Sequence, residues 1–220
     1  MQLEINNTLG EWASNYAAAS MVFMRHDLDF CCGGSVSLKQ ACQQKDIKAE
    51  AIVEEIISAS ADKQCPKWNS MEVGDIVDDI LELFHKKHRE DLQLLIPLAR
   101  KVETVHADRS DSPQGLADFL QHLAFELDSH MQKEEMVLFP MIKSGNGKMA
   151  QGPIQVMMHE HIGHGENLLR LKQLANDYVL PVDACGSWNA LYHGVAQLEM
   201  EIKQHIATEN NVLFPKVLNS

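Results

Sequence analysis

Positive charge is in short supply in this chain. Nineteen Lys and Arg face 31 Asp and Glu among 220 residues, a formal net charge of −12 with His neutral. Such a surface repels phosphate backbones and anionic headgroups, which argues against nucleic acid or a membrane as the main partner. Long apolar runs are missing as well. Nothing approaches the roughly 18 residues needed to cross a bilayer. The opening MQLEINNTLGEW has neither the basic start nor the apolar core of a signal peptide. A cytoplasmic protein is therefore expected. Cysteine is sparse, five in number and irregularly spaced, which suits reduced thiols better than a disulfide framework. Strand signals are scarce too. What the chain does have is helical periodicity, on an ordinary globular composition of 45% hydrophobic and 23% charged residues.

The expected fold is all-α: an up-down four-helix bundle over residues 66–220, preceded by a small helical domain over 1–65. In the small domain helices are expected near 8–25, 37–44 and 48–60, with Cys31-Cys32-Gly33-Gly34 as a turn. Its apolar residues are few, which predicts little stability alone. The stretch 61–70, ADKQCPKWNS, reads as a linker ending in Ser70, a candidate N-cap. Four long periodic segments follow. Met71 to His106 carries Leu81, His85, His88, Leu92, Leu95, Ala99 and Val102 on one seam, with Pro97 predicting a kink or a break. Ser112-Pro113, a cap and first-turn proline, opens a helix to Lys143 with Leu120, Leu123, Leu127, His130, Glu134, Val137 and Met141 inward. Pro153 to Asn176 aligns Ile154, Met157, His161, His164, Leu168, Leu171 and Ala175. Asp183 to Leu218 aligns Leu191, Val195, Leu198, Ile202, His205, Glu209 and Val212. Steps of three and four alternate in every seam, the spacing of bundle core positions.

One eleven-residue pattern occurs twice, HMQKEEMVLFP at 130–140 and HIATENNVLFP at 205–215. Both read His-x-x-x-Glu-x-x-Val-Leu-Phe-Pro. Residues four apart share a helix face, so each copy aims an imidazole and a carboxylate into its own apolar seam. A lone His in a core is usually a hydrogen-bonded core residue. Four seams each carrying a His, two with a Glu one turn later, are different, because uncompensated buried carboxylates would cost several kcal/mol each. A pair of divalent cations removes that cost. Imidazole with carboxylate suits iron, manganese or zinc, and iron is the expectation: two ions, two bridging Glu, four His and an oxo or hydroxo bridge. Such ions keep a position for a small molecule such as oxygen or nitric oxide. The spacing of His85 to His161 matches that of His130 to His205 to within one residue, as a duplicated helical hairpin would. Spacing does not choose between His85 and His88 or between His161 and His164, and His159 is offset. Glu126 and Glu160 line either an access path or a solvated face. For Glu135 and the Asp78-Asp79 pair a solvated face suffices, and the methionines are core filling.

Cys31 and Cys32 are adjacent and flanked by glycine. A disulfide between them would be strained and easily reduced, and a following helix N-terminus would lower a thiolate pKa. They read either as small buried residues beside a turn or as a thiol pair accepting nitrosyl, oxidising equivalents or iron. Cys42, Cys65 and Cys185 are isolated and taken as structural.

The Cys-Cys-Gly-Gly turn within DFCCGG, HREDL after His85, KVETVHAD at 101–108 and the two His-x-x-x-Glu-x-x-Val-Leu-Phe-Pro copies together resemble the Repair of Iron Centres family. The resemblance covers essentially the whole chain. It implies a hemerythrin-like bundle with a non-haem di-iron centre ligated by His85, His130, Glu134, His161, His205 and Glu209. It also implies repair of iron–sulfur clusters damaged by nitric oxide or oxidants, with damaged iron–sulfur proteins as partners and Cys31 and Cys32 assisting transfer. Iron donation, nitric oxide reduction and nitrosyl shuttling all stay open, as does a homodimer. An oxygen or iron sensor without turnover is the alternative. Four His, against five in typical hemerythrins, put simple oxygen carriage in doubt. His88, His159 and His164 receive no role.

Overall fold

The computed structural model describes residues 3–16, 18–60 and 67–219. Among these residues helices dominate and no strand forms, apart from one isolated antiparallel bridge between Thr8 and Ser37. No described helix is long and apolar enough to cross a membrane. The chain divides into two compact units. One comprises Met1–Asp78, Met141–Ile154 and Lys203–Ser220; the other comprises Asp79–Pro140 and Gln155–Ile202.

In the first unit α1 (Leu9–Asn15) opens on a capping box, with Thr8 Oγ1 accepting from the Glu11 N–H and the Glu11 carboxylate accepting from the Thr8 N–H. The single helix expected over 8–25 is instead two. Tyr16 adopts an extended backbone (φ −126°, ψ 113°) and α2 (Ala19–Arg25) starts afresh. Ser37 caps α3 (Leu38–Gln44) by accepting from the Gln40 N–H, and α4 (Ala49–Ser60) follows. Trp12, Val22, Phe23, Phe30, Leu38, Ile52 and Ile56 are all buried. Each such side chain contributes about 1.5–3 kcal/mol, more burial than the sparse apolar count suggests. Cys65 and most of the expected linker (61–66) lie outside the described residues. Ser70 ends a short 3-10 turn, Lys67–Ser70, and α5 (Val73–Ile80) begins three residues later, so Ser70 is not its cap.

The second unit is a four-helix bundle. Its staves are α6 (Lys86–Val105), α7 (Leu116–Lys133), which leads to α8 (Phe139–Lys143), most of α9 (Gln151–Leu174) and most of α10 (Gly186–Thr208), which leads to α11 (Phe214–Leu218). Pairings between helices give their directions. Arg89 meets Asp128 and Arg100 meets Asp118, so α6 and α7 are antiparallel. Lys133 meets Glu160 and Asn167 meets Glu126, which sets α9 against α7. Lys87 reaches Glu201 while Leu95 packs against Gly194, so α10 runs against α6. The up-down order expected from short connections is present. Helix α6 continues through Pro97, so no break occurs there. Ser112 does not cap α7; the helix starts later, after Gly115, whose φ of 87° is the left-handed region that favours glycine.

Three helical segments contain a π turn: Leu81–His85, Glu134–Leu138 and Glu209–Leu213. In each, the next N–H reaches back five residues, as Phe139 does to Glu134 and Phe214 to Glu209. A proline follows each of the last two turns. Its missing N–H and its ring's clash with the preceding turn favour this wider winding. One extra residue per turn moves the buried face on by one position. The seam expected at Val137 and Met141 therefore lies at Leu138, Phe139 and Ile142, and Val137 is half exposed.

Candidate metal centre

Within the bundle unit His85, His130, Glu134 and His161 are brought together, each no more than 2% exposed. Glu134, fully buried, is the focus. His85 Nε2 lies 3.2 Å from its Oε2, and His130 Nε2 lies 3.4 Å from its Oε1. His161 Nε2 is 3.2 Å from His130 Nε2, and one ligand atom each from His130, Glu134 and His161 lie within 4.8 Å of one another.

The outward nitrogens explain the inward ones. His85 Nδ1 is 2.8 Å from Glu135 Oε1, and His130 Nδ1 is 2.9 Å from Glu160 Oε2. A carboxylate on Nδ1 holds the proton there and puts the lone pair on Nε2, the atom facing Glu134. Arg89 secures Glu135 and Lys133 secures Glu160. Partial burial alone would raise both carboxyls. The hydrogen bonds from Arg89 and His85, and from Lys133 and His130, hold them below the usual range. Glu135 and Glu160 thus orient the site's imidazoles, a role missed by reading Glu135 as a solvated position and Glu160 as either an access-path or a solvated one. The signal in the sequence was their adjacency to Glu134 and His161.

This donor set fits a transition-metal ion. Two nitrogens 3.2 Å apart and each about 2.1 Å from a shared ion subtend roughly 100°, suitable for neighbouring ligands. The chemistry is that of borderline metals, imidazole with carboxylate and no sulfur. The companion histidines sit differently. His88 is buried and stacks on Phe84, His164 meets the His130 ring edge-on at 4.8 Å, and His159 is exposed.

In the first unit the second motif copy repeats the pairing, with His205 Nε2 3.3 Å from Glu209 Oε1, both buried. The next two residues hold the cysteine turn. Asn210 Nδ2 donates to the Cys31 carbonyl and Asn211 Nδ2 donates to the Phe30 carbonyl, each at 3.1 Å. The backbone at Gly34 approaches so closely that a Cβ there would lie 2.5 Å from Asn211 Oδ1 and 2.8 Å from the Phe30 oxygen. Gly34 is thus required by contact. No helix N-terminus follows Cys32 directly, since α3 starts only at Leu38. Instead Asp29 organises the turn, accepting from the N–H groups of Cys31, Cys32 and Gly33. Cys31 and Cys32 are thiols with Sγ atoms 3.8 Å apart. Their mutual hydrogen bond, with burial and the Asp29 charge, pushes Cys31 far up; the same bond lowers Cys32. Cys42 is buried in α3, and Cys185 lies 3.2 Å from His106 Nε2.

Comparison with known proteins agrees with this chemistry. Residues 77–217 match the hemerythrin HHE cation binding domain, a span that contains all six expected ligands. Residues 5–60 match the ScdA_N domain, described as a domain of unknown function (DUF542). The chain is 43% identical over 210 residues to the iron–sulfur cluster repair protein YtfE of Enterobacter sp. (strain 638), covering 96% of each. It is 44% identical over 214 residues to the probable iron–sulfur cluster repair protein of Haemophilus influenzae, again covering 96% of each. With its hemerythrin-like helical bundle and its N-terminal cysteine turn, the chain belongs to the YtfE family of iron–sulfur cluster repair proteins.

Proposed function

We propose that this protein repairs iron–sulfur clusters damaged by nitric oxide or oxidants, by supplying iron from a non-haem di-iron centre. The proposed ligands are His85, His130, Glu134, His161, His205 and Glu209, with the two glutamates as shared carboxylates. The observation that carries this reading is the fully buried Glu134 carboxylate faced by Nε2 of two histidines whose Nδ1 atoms are held by Glu135 and Glu160. Purely structural ion pairs would not need each ring oriented from behind. Iron bound there supplies redox-active positions for small ligands such as nitric oxide or oxygen. The residues themselves orient the imidazoles and keep the Nδ1 protons out of the site. The proposed organisation is a small domain over 1–65 and a bundle over 66–220, in a cytoplasmic protein whose partners are damaged iron–sulfur proteins. The names of the relatives support repair over a sensor or store. Attachment of the Cys31 carbonyl to Asn210, the residue after Glu209, supports thiol assistance in transfer.

The test is metal analysis of protein purified without oxygen, beside Glu134→Ala/Glu209→Ala, His161→Gln and His164→Gln. Two irons per chain are expected in the wild type and the His164 variant, with loss in the other two. Mixing with a nitric-oxide-damaged hydratase should restore its activity. Nitrous oxide formation without recovery would favour reduction instead, and reversible oxygen binding alone would sink the repair reading.

A further inference from the structure

The mutual geometry of Asp29, Cys31 and Cys32 has a use beyond holding a turn. Cys31 Sγ is 3.8 Å from Cys32 Sγ and 3.3 Å from Asp29 Oδ1, and the three ligand atoms lie within 4.8 Å of one another. Two sulfurs 3.8 Å apart, each about 2.3 Å from one ion, subtend roughly 110°, the tetrahedral angle. A carboxylate oxygen about 2.1 Å from the same ion would lie roughly 3.6 Å from each sulfur in that geometry, near the 3.3 Å found for Cys31 and within the 4.8 Å that bounds all three atoms. We propose that Asp29, Cys31 and Cys32 form a second cation site, distinct from the histidine-rich one and taking a thiophilic divalent ion such as zinc or ferrous iron.

The donors are already in place. The Asp29 carboxylate is fixed by three backbone N–H groups, and Asn210 and Asn211 fix the two carbonyls at the turn. Little ordering is left to oppose binding. Cys31 is buried while Cys32 is partly exposed and Asp29 exposed, so an ion has a route from solvent. Three protein donors leave the fourth tetrahedral position to water or an incoming ligand. That is the arrangement of an exchangeable ion, whereas structural sites use four protein donors. Thiolate donors also select differently from imidazole and carboxylate, so the two sites do not simply compete for one ion. For its meaning this inference rests on the iron-supply reading, as a staging point for iron leaving the protein; for its geometry it needs only the turn.

The experiment is anaerobic titration of the full-length protein with Co²⁺, following thiolate-to-cobalt charge-transfer absorption. Imidazole and carboxylate do not produce that absorption. One equivalent is expected to develop the band in Glu134→Ala/Glu209→Ala, and in the wild type the same full band is expected by three equivalents, two of them filling the histidine-rich centre. Cys32→Ser should abolish it, and Asp29→Asn should weaken binding at least about tenfold. No band near stoichiometric cobalt, or a band surviving Cys32→Ser, overturns the proposal; unchanged affinity in Asp29→Asn overturns the three-donor site. Should the Cys32 variant misfold, alkylation of the wild type decides. Three equivalents of Zn²⁺, enough to fill the histidine-rich centre as well, should protect Cys31 and Cys32 but not Cys185, and no protection overturns the site. A band that persists in protein unable to restore a damaged hydratase would sink iron supply while leaving this site standing.

Discussion

Glu135→Gln tests the reasoning about the candidate centre most directly, because it replaces no proposed ligand and acts only through His85. In the wild type Glu135 Oε1 lies 2.8 Å from both His85 Nδ1 and Arg89 Nη1, and Arg89 Nε donates to Asp128 at 2.8 Å. The amide keeps an oxygen for His85 but removes the charge that makes its Nε2 a stronger donor. Losing such a partner weakens metal binding by about 10- to 100-fold, or roughly 1.4–2.7 kcal/mol. The Glu135 side chain is 30% exposed, and solvent screening places the expectation at the lower end, about tenfold. Asp128→Asn is the control. Asp128 is 42% exposed and reaches His85 only through Arg89 and Glu135, so its loss should change affinity by no more than about twofold. The assay is competition for ferrous iron with a chelator of known affinity, without oxygen. If Glu135→Gln binds iron as tightly as the wild type, or if both variants lose equally, the orienting role is refuted.

Two further outcomes are expected. The folded-state carboxyls of Glu135 and Glu160 lie below the unfolded value of about 4.3. Their contribution to stability is therefore complete above that pH and is lost as pH falls through the lowered values. Urea midpoints of metal-free wild type should fall more steeply below about pH 4.3 than those of Glu135→Gln/Glu160→Gln, and parallel curves would count against it. Gly34→Ala should destabilise the protein by about 1–3 kcal/mol, because its Cβ would meet Asn211 Oδ1 and the Phe30 carbonyl. An unchanged urea midpoint would show that the cysteine turn is not held as described.

The sequence by itself determined the helical class, the number of long segments and the face of each. Repeating steps of three and four leave a long amphipathic helix few ways to bury its seam, and the α9 and α10 seams are buried as expected. The duplicated His-x-x-x-Glu pattern likewise put imidazole and carboxylate on one face wherever the winding stays α. Periodicity fails where the winding changes. The π turn at Glu134 moves the buried face from Val137 to Leu138, and only the completed helix, with Pro140 behind it, fixes that shift. Spacing also could not separate His161 from His164, both buried on one seam, since the difference lies in which ring nitrogen approaches His130 and Glu134. The supporting shell was decided by tertiary structure alone. Glu135 reads as half of an exposed acidic pair until α6 delivers His85 and Arg89 to it, and Glu160 reads as an access-path or solvated position until α7 delivers His130 and Lys133. Helical periodicity is a property of neighbours along the chain. The partner of a half-buried carboxylate comes from another helix, and one chain position does not encode it.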